Sequence, residues 1–196
     1  ETNRRLDLHA RQVQLSEMLS PAARNLALAR QIAELEQRDM IADIANGASF
    51  DLPGTKEAFT SYLRSYYARA LIMPYGRFLR ACDATGYDLP VLQRRFGVSF
   101  EQVCHRLTTL QRDGARGVPF FFLRVDRAGN VTKRFNATGF TLAEEGGACP
   151  VWDLHGAFRV PGLIVPQFVE LPDGGQFFTI SRTTDRPVFS RQTQDR

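Results

Sequence analysis

The sequence predicts an α+β protein. A short N-terminal β-hairpin and a helical part come first, and a mainly antiparallel β-sheet part follows. Two observations carry this prediction. Up to about residue 112, apolar residues recur at helical spacing in blocks bounded by capping and breaking residues. After Gly117 that spacing gives way to short apolar runs separated by turn residues. The expected division is residues 1–112 mostly helical, 113–185 antiparallel β and 186–196 an irregular tail.

The opening "RRLDLHARQVQLSE" alternates apolar and polar at Leu6, Leu8, Val13 and Leu15, with a break at Arg11-Gln12, and reads as a hairpin. In "LSPAARNLALARQIAELEQRDMIADIA", Ser20 is placed to cap and Pro21 suits the first helical position. Leu26, Ile32, Leu35 and Ile41 then carry one helix to about Asp43. "NGASFDLPGT" breaks the chain. "KEAFTSYLRSYYARALIM" is the next helix, with Phe59, Leu63, Tyr66, Tyr67 and Ala70 as an apolar and aromatic stripe. Pro74 stops it, and "YGRFLRACDATG" gives a further short helix.

Residues 86–112, "GYDLPVLQRRFGVSFEQVCHRLTTLQR", hold two short helices around Gly97. Pro90 opens the first, and Ser99 with Gln102 has capping-box spacing for the second. Beyond them "VPFFFLRVD" and "VTKRFNATGF" read as strands joined by "RAGN". "EEGGACPVWDLHGAF" is a loop leading to one short helix. "GLIVPQFVELPDGGQFFTISRT" is a hairpin turning at Pro172-Asp173-Gly174-Gly175.

The two-helix outline at 86–112 poses a functional question, since a DNA-reading helix-turn-helix has this shape. Such a motif presents polar side chains from the first turns of its second helix. Here that helix begins Ser99-Phe100-Glu101-Gln102-Val103; Phe100 and Val103 suit a core, and Glu101 repels phosphate. A hairpin packed into its own core is the preferred reading, and DNA binding through residues 88–112 the alternative.

Composition narrows the classes further. The 196 residues are 43% hydrophobic and 11% aromatic, enough for one sizeable core or two small ones. No apolar run reaches membrane-spanning length, and no signal-peptide pattern opens the chain. It begins at Glu1 without Met, so a fragment of a longer protein is expected. Cys82, Cys104 and Cys149 are too scattered for a disulfide framework or a zinc ribbon, which suits a reduced cytosolic protein. The formal charge is +4, from 25 basic and 21 acidic residues. Residues 112–134 alone carry Arg112, Arg116, Arg124, Arg127, Lys133 and Arg134 against Asp113 and Asp126. Such a strip can hold phosphates of DNA or of a nucleotide ligand.

Signs of catalysis are missing. There is no Gly-x-Ser-x-Gly, no phosphate-binding glycine loop and no Rossmann fingerprint. His9, His105 and His155 share no ligand spacing.

Two resemblances sharpen the reading. "YYARALIMPYGRFL" followed by "YDLPVLQRRFGVSFEQVCHRLTTLQR" resembles the C-terminal half of the ImmA/IrrE metallopeptidase fold. The longer run "RRFGVSFEQVCHRLTTLQRDGARGVPFFFLRVDRAGNVTKRFNATGF", with "GGACPVWDLHGAF", resembles the short-chain acyl-CoA-responsive transcription regulators of actinobacteria and their relatives. The first resemblance implies a degenerate zincin-like helical part. Arg30-Gln31-Ile32-Ala33-Glu34 stands where the peptidases carry His-Glu-x-x-His, so zinc and peptidase activity are expected to be absent.

The second resemblance implies an effector-sensing region that binds CoA or a short-chain acyl-CoA, with propionyl-CoA the favoured guess, and that controls propionate and methylcitrate-cycle genes. It also implies a DNA-binding helix-turn-helix domain before this chain, through which alone operator DNA is bound. A Cys-rich segment holding a [4Fe-4S] cluster is expected after the chain, with no cofactor or metal inside it. A cytoplasmic homodimer or homotetramer, with no membrane partner, completes the expectation. An acyl-CoA needs cations for its phosphates and aromatic or apolar walls for adenine and acyl chain. Arg124, Lys133 and Arg134 are the first candidates for phosphate, with Arg106 and Arg77 behind them. Tyr67, Tyr75 and Phe122 are candidate walls, as is Trp152, the single Trp.

Overall fold

The computed structural model describes residues 4–138, 155–171 and 174–184. The chain divides into two compact units, Glu1–Leu110 and Gln111–Arg196.

The first unit opens with the hairpin of β1 (Arg4–Asp7) and β2 (Gln12–Leu15), paired antiparallel with Arg4 opposite Leu15 and Asp7 opposite Gln12. The turn is longer than the alternation suggested. Leu8 lies in it, exposed, and Arg11 adopts a positive φ of 51°. The six helices are α1 (Pro21–Glu36), α2 (Arg38–Asn46), α3 (Thr55–Ile72), α4 (Tyr75–Thr85), α5 (Leu89–Phe96) and α6 (Phe100–Leu107).

The expected single helix from Pro21 to about Asp43 is two. Gln37, at φ −118° and ψ 17°, breaks it although no Gly or Pro is present, and α2 runs on to Asn46. The cause is tertiary. α1 buries Ala29, Gln31 and Ala33, α2 buries Ile41 and Ala45, and both helices pack on α3. The bend lets both apolar faces meet the same partner, which outweighs local propensity.

The stripe expected on α3 is also less buried than its composition suggested. Its deepest residue is Ala68, whose small side chain admits a close neighbour, while Tyr66 stays exposed. The aromatic side chains form a ladder instead: Phe50–Phe59 at 5.5 Å, Phe59–Tyr62 at 6.3 Å and Tyr62–Tyr66 at 6.4 Å between ring centres.

Local chemistry fixes the ends of the other helices. Ser20 Oγ accepts from Ala23 N–H at the start of α1. Asp88 caps α5, and Gly97 ends it in the left-handed region, where a Cβ is disfavoured. Ser99 and Gln102 close the capping box of α6 in both directions. The core of this unit holds Met73, Phe78, Leu92, Val103, Leu107 and Leu110, with Phe78 edge-on to Phe96 at 5.2 Å.

α6 is buried nearly all round. Gln102, His105 and Arg106 join Val103 and Leu107 in the interior, and Gln102 Nε2 donates to the Ala22 carbonyl at 3.3 Å. Its first turns therefore offer no row of free polar side chains to a DNA groove.

In the second unit β3 (Phe121–Val125) pairs with β4 (Val131–Asn136), and β5 (Val165–Glu170) with β6 (Gln176–Ser181). Both pairs are antiparallel, and among the described residues each is a separate two-stranded sheet. The edge-on rings of Phe121 and Phe177, 6.0 Å apart, join the two hairpins. A 3-10 turn covers His155–Phe158. Trp152, Cys149, Pro172 and Asp173 lie outside the described residues.

The β3–β4 turn is organised by Asp126. Its carboxylate accepts from Ala128 N–H, Asn130 N–H and Asn130 Nδ2, each at 2.9 Å. The Asn130 side chain first, and backbone donors after it, hold this exposed carboxyl below its ordinary value of 3.8. A lowered folded-state pKa gives stability that is present above the unfolded value and lost as pH falls through the folded one. The Asn130 and Ala128 amide resonances are therefore expected to titrate together with a midpoint below 3.8. A midpoint at or above that value contradicts the network.

Candidate effector-binding site

The β3–β4 register sorts the strand candidates. Arg124 lies directly opposite Lys133, and Phe122 directly opposite Phe135. Side chains two residues apart share a face. One face of the hairpin therefore carries the Arg124–Lys133 pair beside the stacked Phe122 and Phe135 rings, 6.2 Å apart and 14° from parallel. Arg134, opposite Leu123, belongs to the other face and is exposed. The three leading phosphate candidates are thus split two and one. The rest of the basic strip is dispersed: Arg127 is exposed in the turn, and Arg116 is ion-paired with Asp113.

In the helical unit the structure joins two candidates. Arg106 Cζ lies 5.7 Å from the Tyr75 ring centre, a cation–π contact. Arg106 is only 2% exposed; its Nε donates to the Met73 carbonyl at 3.0 Å and Nη1 to Thr109 Oγ1 at 2.9 Å. These contacts place it in the framework, where it orients Tyr75. Arg77 is exposed on α4, and Tyr67 is half-buried on α3.

The positions aligned with the peptidase motif hold a different chemistry. Glu34 is gripped by two arginines, Arg4 Nη2 on Oε2 at 2.8 Å and Arg64 Nη1 on Oε1 at 3.1 Å. Arg30 Nη2 donates to Ser61 Oγ at 3.2 Å. A zinc ion would meet guanidinium groups where it needs imidazoles, so these residues do not fit the metal. Among the described residues no three His, Cys, Asp or Glu side chains gather in a group fit for a metal.

An iron–sulfur cluster does not fit either. It takes about four thiolates, and the chain has three cysteines. Cys82 is fully buried, with its thiol pushed up to about 12 by burial, and behaves as a core residue.

Sequence reasoning missed this arginine group. The Arg30–Glu34 spacing on one helix was legible, but Arg4 and Arg64 reach Glu34 across 30 residues of chain on either side. No local pattern marks such a meeting.

The fold and this altered centre define a class: a metallopeptidase-type helical scaffold without the metal set, carrying a β extension. Residues 1–108 match the IrrE N-terminal-like domain, and residues 109–196 match the family described as short-chain fatty acyl coenzyme A regulator, C-terminal. The chain belongs to this family of short-chain fatty acyl-CoA regulators. A propionyl-CoA carboxylase regulator of Cereibacter sphaeroides is 42% identical over 175 residues, covering 89% of this chain and 38% of the relative. The HTH-type transcriptional regulator PrpR of Mycobacterium tuberculosis is 42% identical over 174 residues, 88% of this chain and 35% of the relative. RamB, an HTH-type regulator of the same species, is 37% identical over 181 residues, 92% of this chain and 38% of the relative. A solved Mycobacterium tuberculosis transcriptional regulator superposes with a TM-score of 0.90 at 38% identity, covering 97% of this chain and 58% of that one.

The chain therefore spans between 35% and 38% of the curated relatives' length. Those relatives are named as regulators, and the chain stands with them rather than with the peptidases. Among the described residues no helix is long and apolar enough to cross a membrane.

Proposed function

We propose that this chain is the effector-sensing part of a bacterial transcription regulator. It binds CoA or a short-chain acyl-CoA, with propionyl-CoA preferred, and controls propionate and methylcitrate-cycle genes. The observation that carries the proposal is the face of the β3–β4 hairpin, within the stretch that matches the acyl-CoA regulators. There two cations stand cross-strand beside two stacked aromatic rings. A phosphorylated nucleotide offers the complement, with anionic oxygens next to a flat apolar base.

In this reading Arg124 and Lys133 bind phosphate and Phe122 packs against adenine or pantetheine. Arg134, on the far face, adds long-range attraction for the anion, as does Arg77. Tyr67, Tyr75 and Trp152 remain further candidate walls, and Arg106 holds Tyr75 within the helical unit. Effector binding favours one arrangement of the sensor and so biases the DNA-binding domain that we place outside this chain. We place an iron–sulfur segment outside it too, and expect a cytoplasmic dimer or tetramer matching paired half-sites in operator DNA.

A thermal-shift series with CoA, acetyl-, propionyl- and butyryl-CoA tests the proposal. Ligand at about 100 times its Kd stabilises by about 2.7 kcal/mol. The expected result is a saturable rise in Tm, largest for propionyl-CoA and missing for unphosphorylated pantetheine. No rise with any CoA species, together with salt-sensitive retardation of duplex DNA by this chain, would favour DNA binding through residues 88–112 instead.

A further inference from the structure

The β5–β6 hairpin turns its more apolar face outward. Strand alternation sorts its residues into two sets. Val165, Gln167 and Val169 of β5 are half-buried, as are Phe177, Thr179 and Ser181 of β6. On the opposite face the register sets Pro166 against Ile180 and Phe168 against Phe178. An antiparallel sheet with one wet side normally shows its polar residues to water. Here Phe168 is 84% exposed and Phe178 60%. Their ring centres lie 5.0 Å apart, so the two form one patch. Single apolar residues on a surface are ordinary, but a contiguous aromatic patch marks an interaction surface.

A second, independent observation concerns charge. Glu170, exposed, stands at one end of this face, two residues past Phe168. At the other end the same alternation leads from Ile180 to Arg182, the residue after β6. The face therefore runs from an acid through two apolar rows to a base. A two-fold axis across the strands, midway between those rows, lays Phe168 and Phe178 of one copy on Pro166 and Ile180 of the other. The same axis brings each Glu170 to the Arg182 end of its partner. Isologous contacts require this kind of self-complementarity, and two sheets stacked face to face supply the geometry. The Phe168 and Phe178 rings together offer roughly 300 Å² of surface per copy. With the flanking residues, two such faces closed on each other approach the about 1,000 Å² at which specific interfaces begin, so the contact is of modest strength.

We infer that the outer face of the β5–β6 hairpin is a dimer contact between two copies of this chain. The inference rests on the proposed function only for the expectation of a dimer, whose surface it names, and it uses nothing of the effector assignment.

The test is sedimentation velocity of the 196-residue protein over a concentration series, with no effector added. A reversible monomer–dimer equilibrium with a micromolar dissociation constant is expected. Phe168→Thr combined with Phe178→Thr should raise that constant about tenfold or more and leave CoA affinity as in the wild type. Glu170→Arg and Arg182→Glu should each weaken the homodimer. An equimolar mixture of those two variants should dimerise again, since every contact between the ends then joins opposite charges. A monomer at every concentration overturns the inference whether or not CoA binds, so the two readings fail separately. A dimer that the threonine double variant does not weaken overturns it too, as does a mixture no more dimeric than its components. Loss of CoA affinity in the threonine variant, with its dimer intact, gives the face to the effector and overturns it as well.

Discussion

Replacing Arg106 by alanine is expected to destabilise the helical unit by about 3 kcal/mol or more. Hydrogen bonds from a charged donor are worth about 1.5–3 kcal/mol each, and Arg106 donates to the Met73 carbonyl and to Thr109 Oγ1. The Met73 bond matters most. Met73 is the C-cap residue of α3, where helix carbonyls have no intrahelical donor. Arg106 therefore acts as a distant cap, presenting a cation to the negative end of the helix. Alanine leaves a buried carbonyl unsatisfied, opens a cavity beside Tyr75 and removes the cation–π contact. Lysine keeps the charge but cannot fork to both acceptors, so it should fall between alanine and wild type. Urea unfolding decides the matter, and a change under about 1 kcal/mol would show that Arg106 is not part of the framework.

The double variant Arg124→Ala with Lys133→Ala is expected to lose about 3–6 kcal/mol of acyl-CoA binding, on the same value per charge-assisted contact. That is a rise in Kd of about 10²- to 10⁴-fold. The fold should survive, because alanine at both positions leaves the backbone pairing of β3 and β4 intact. Arg134→Ala, on the other face, should change Kd by about tenfold or less. Calorimetry with CoA on the three proteins separates the cases. Equal affinity for the double variant and wild type, or a larger loss for Arg134→Ala, would remove the hairpin face as the phosphate site.

How much of this was legible in the sequence depended on the range of the interaction. Caps were legible. Ser20 with Pro21, Ser99 with Gln102 and the left-handed Gly97 act within a few residues, and each stands where the sequence placed it. The "RAGN" turn was legible for the same reason, through Asp126 and Asn130. The break at Gln37 was not, because it is imposed by the surface of α3 and no local breaker signals it. The burial of most of α6 was hidden behind its polar residues. Gln102 and Arg106 look like surface side chains until Ala22 and Met73 arrive from 80 and 33 residues away to accept from them. The separation of Arg134 from Arg124 and Lys133 was available in principle. Strand alternation puts neighbours 133 and 134 on opposite faces, and counting basic residues along a strip overlooks it.

The double grip on Glu34 has a consequence for metal chemistry. Placing histidine at residues 30 and 34, and glutamate at 31, would not create a working zinc centre. Arg4, Arg64 and Arg69 would still surround the place and repel a divalent ion, so several further substitutions would be needed before any one of them was useful. The arginines bar a divalent cation from this centre while leaving the surrounding scaffold free to carry recognition.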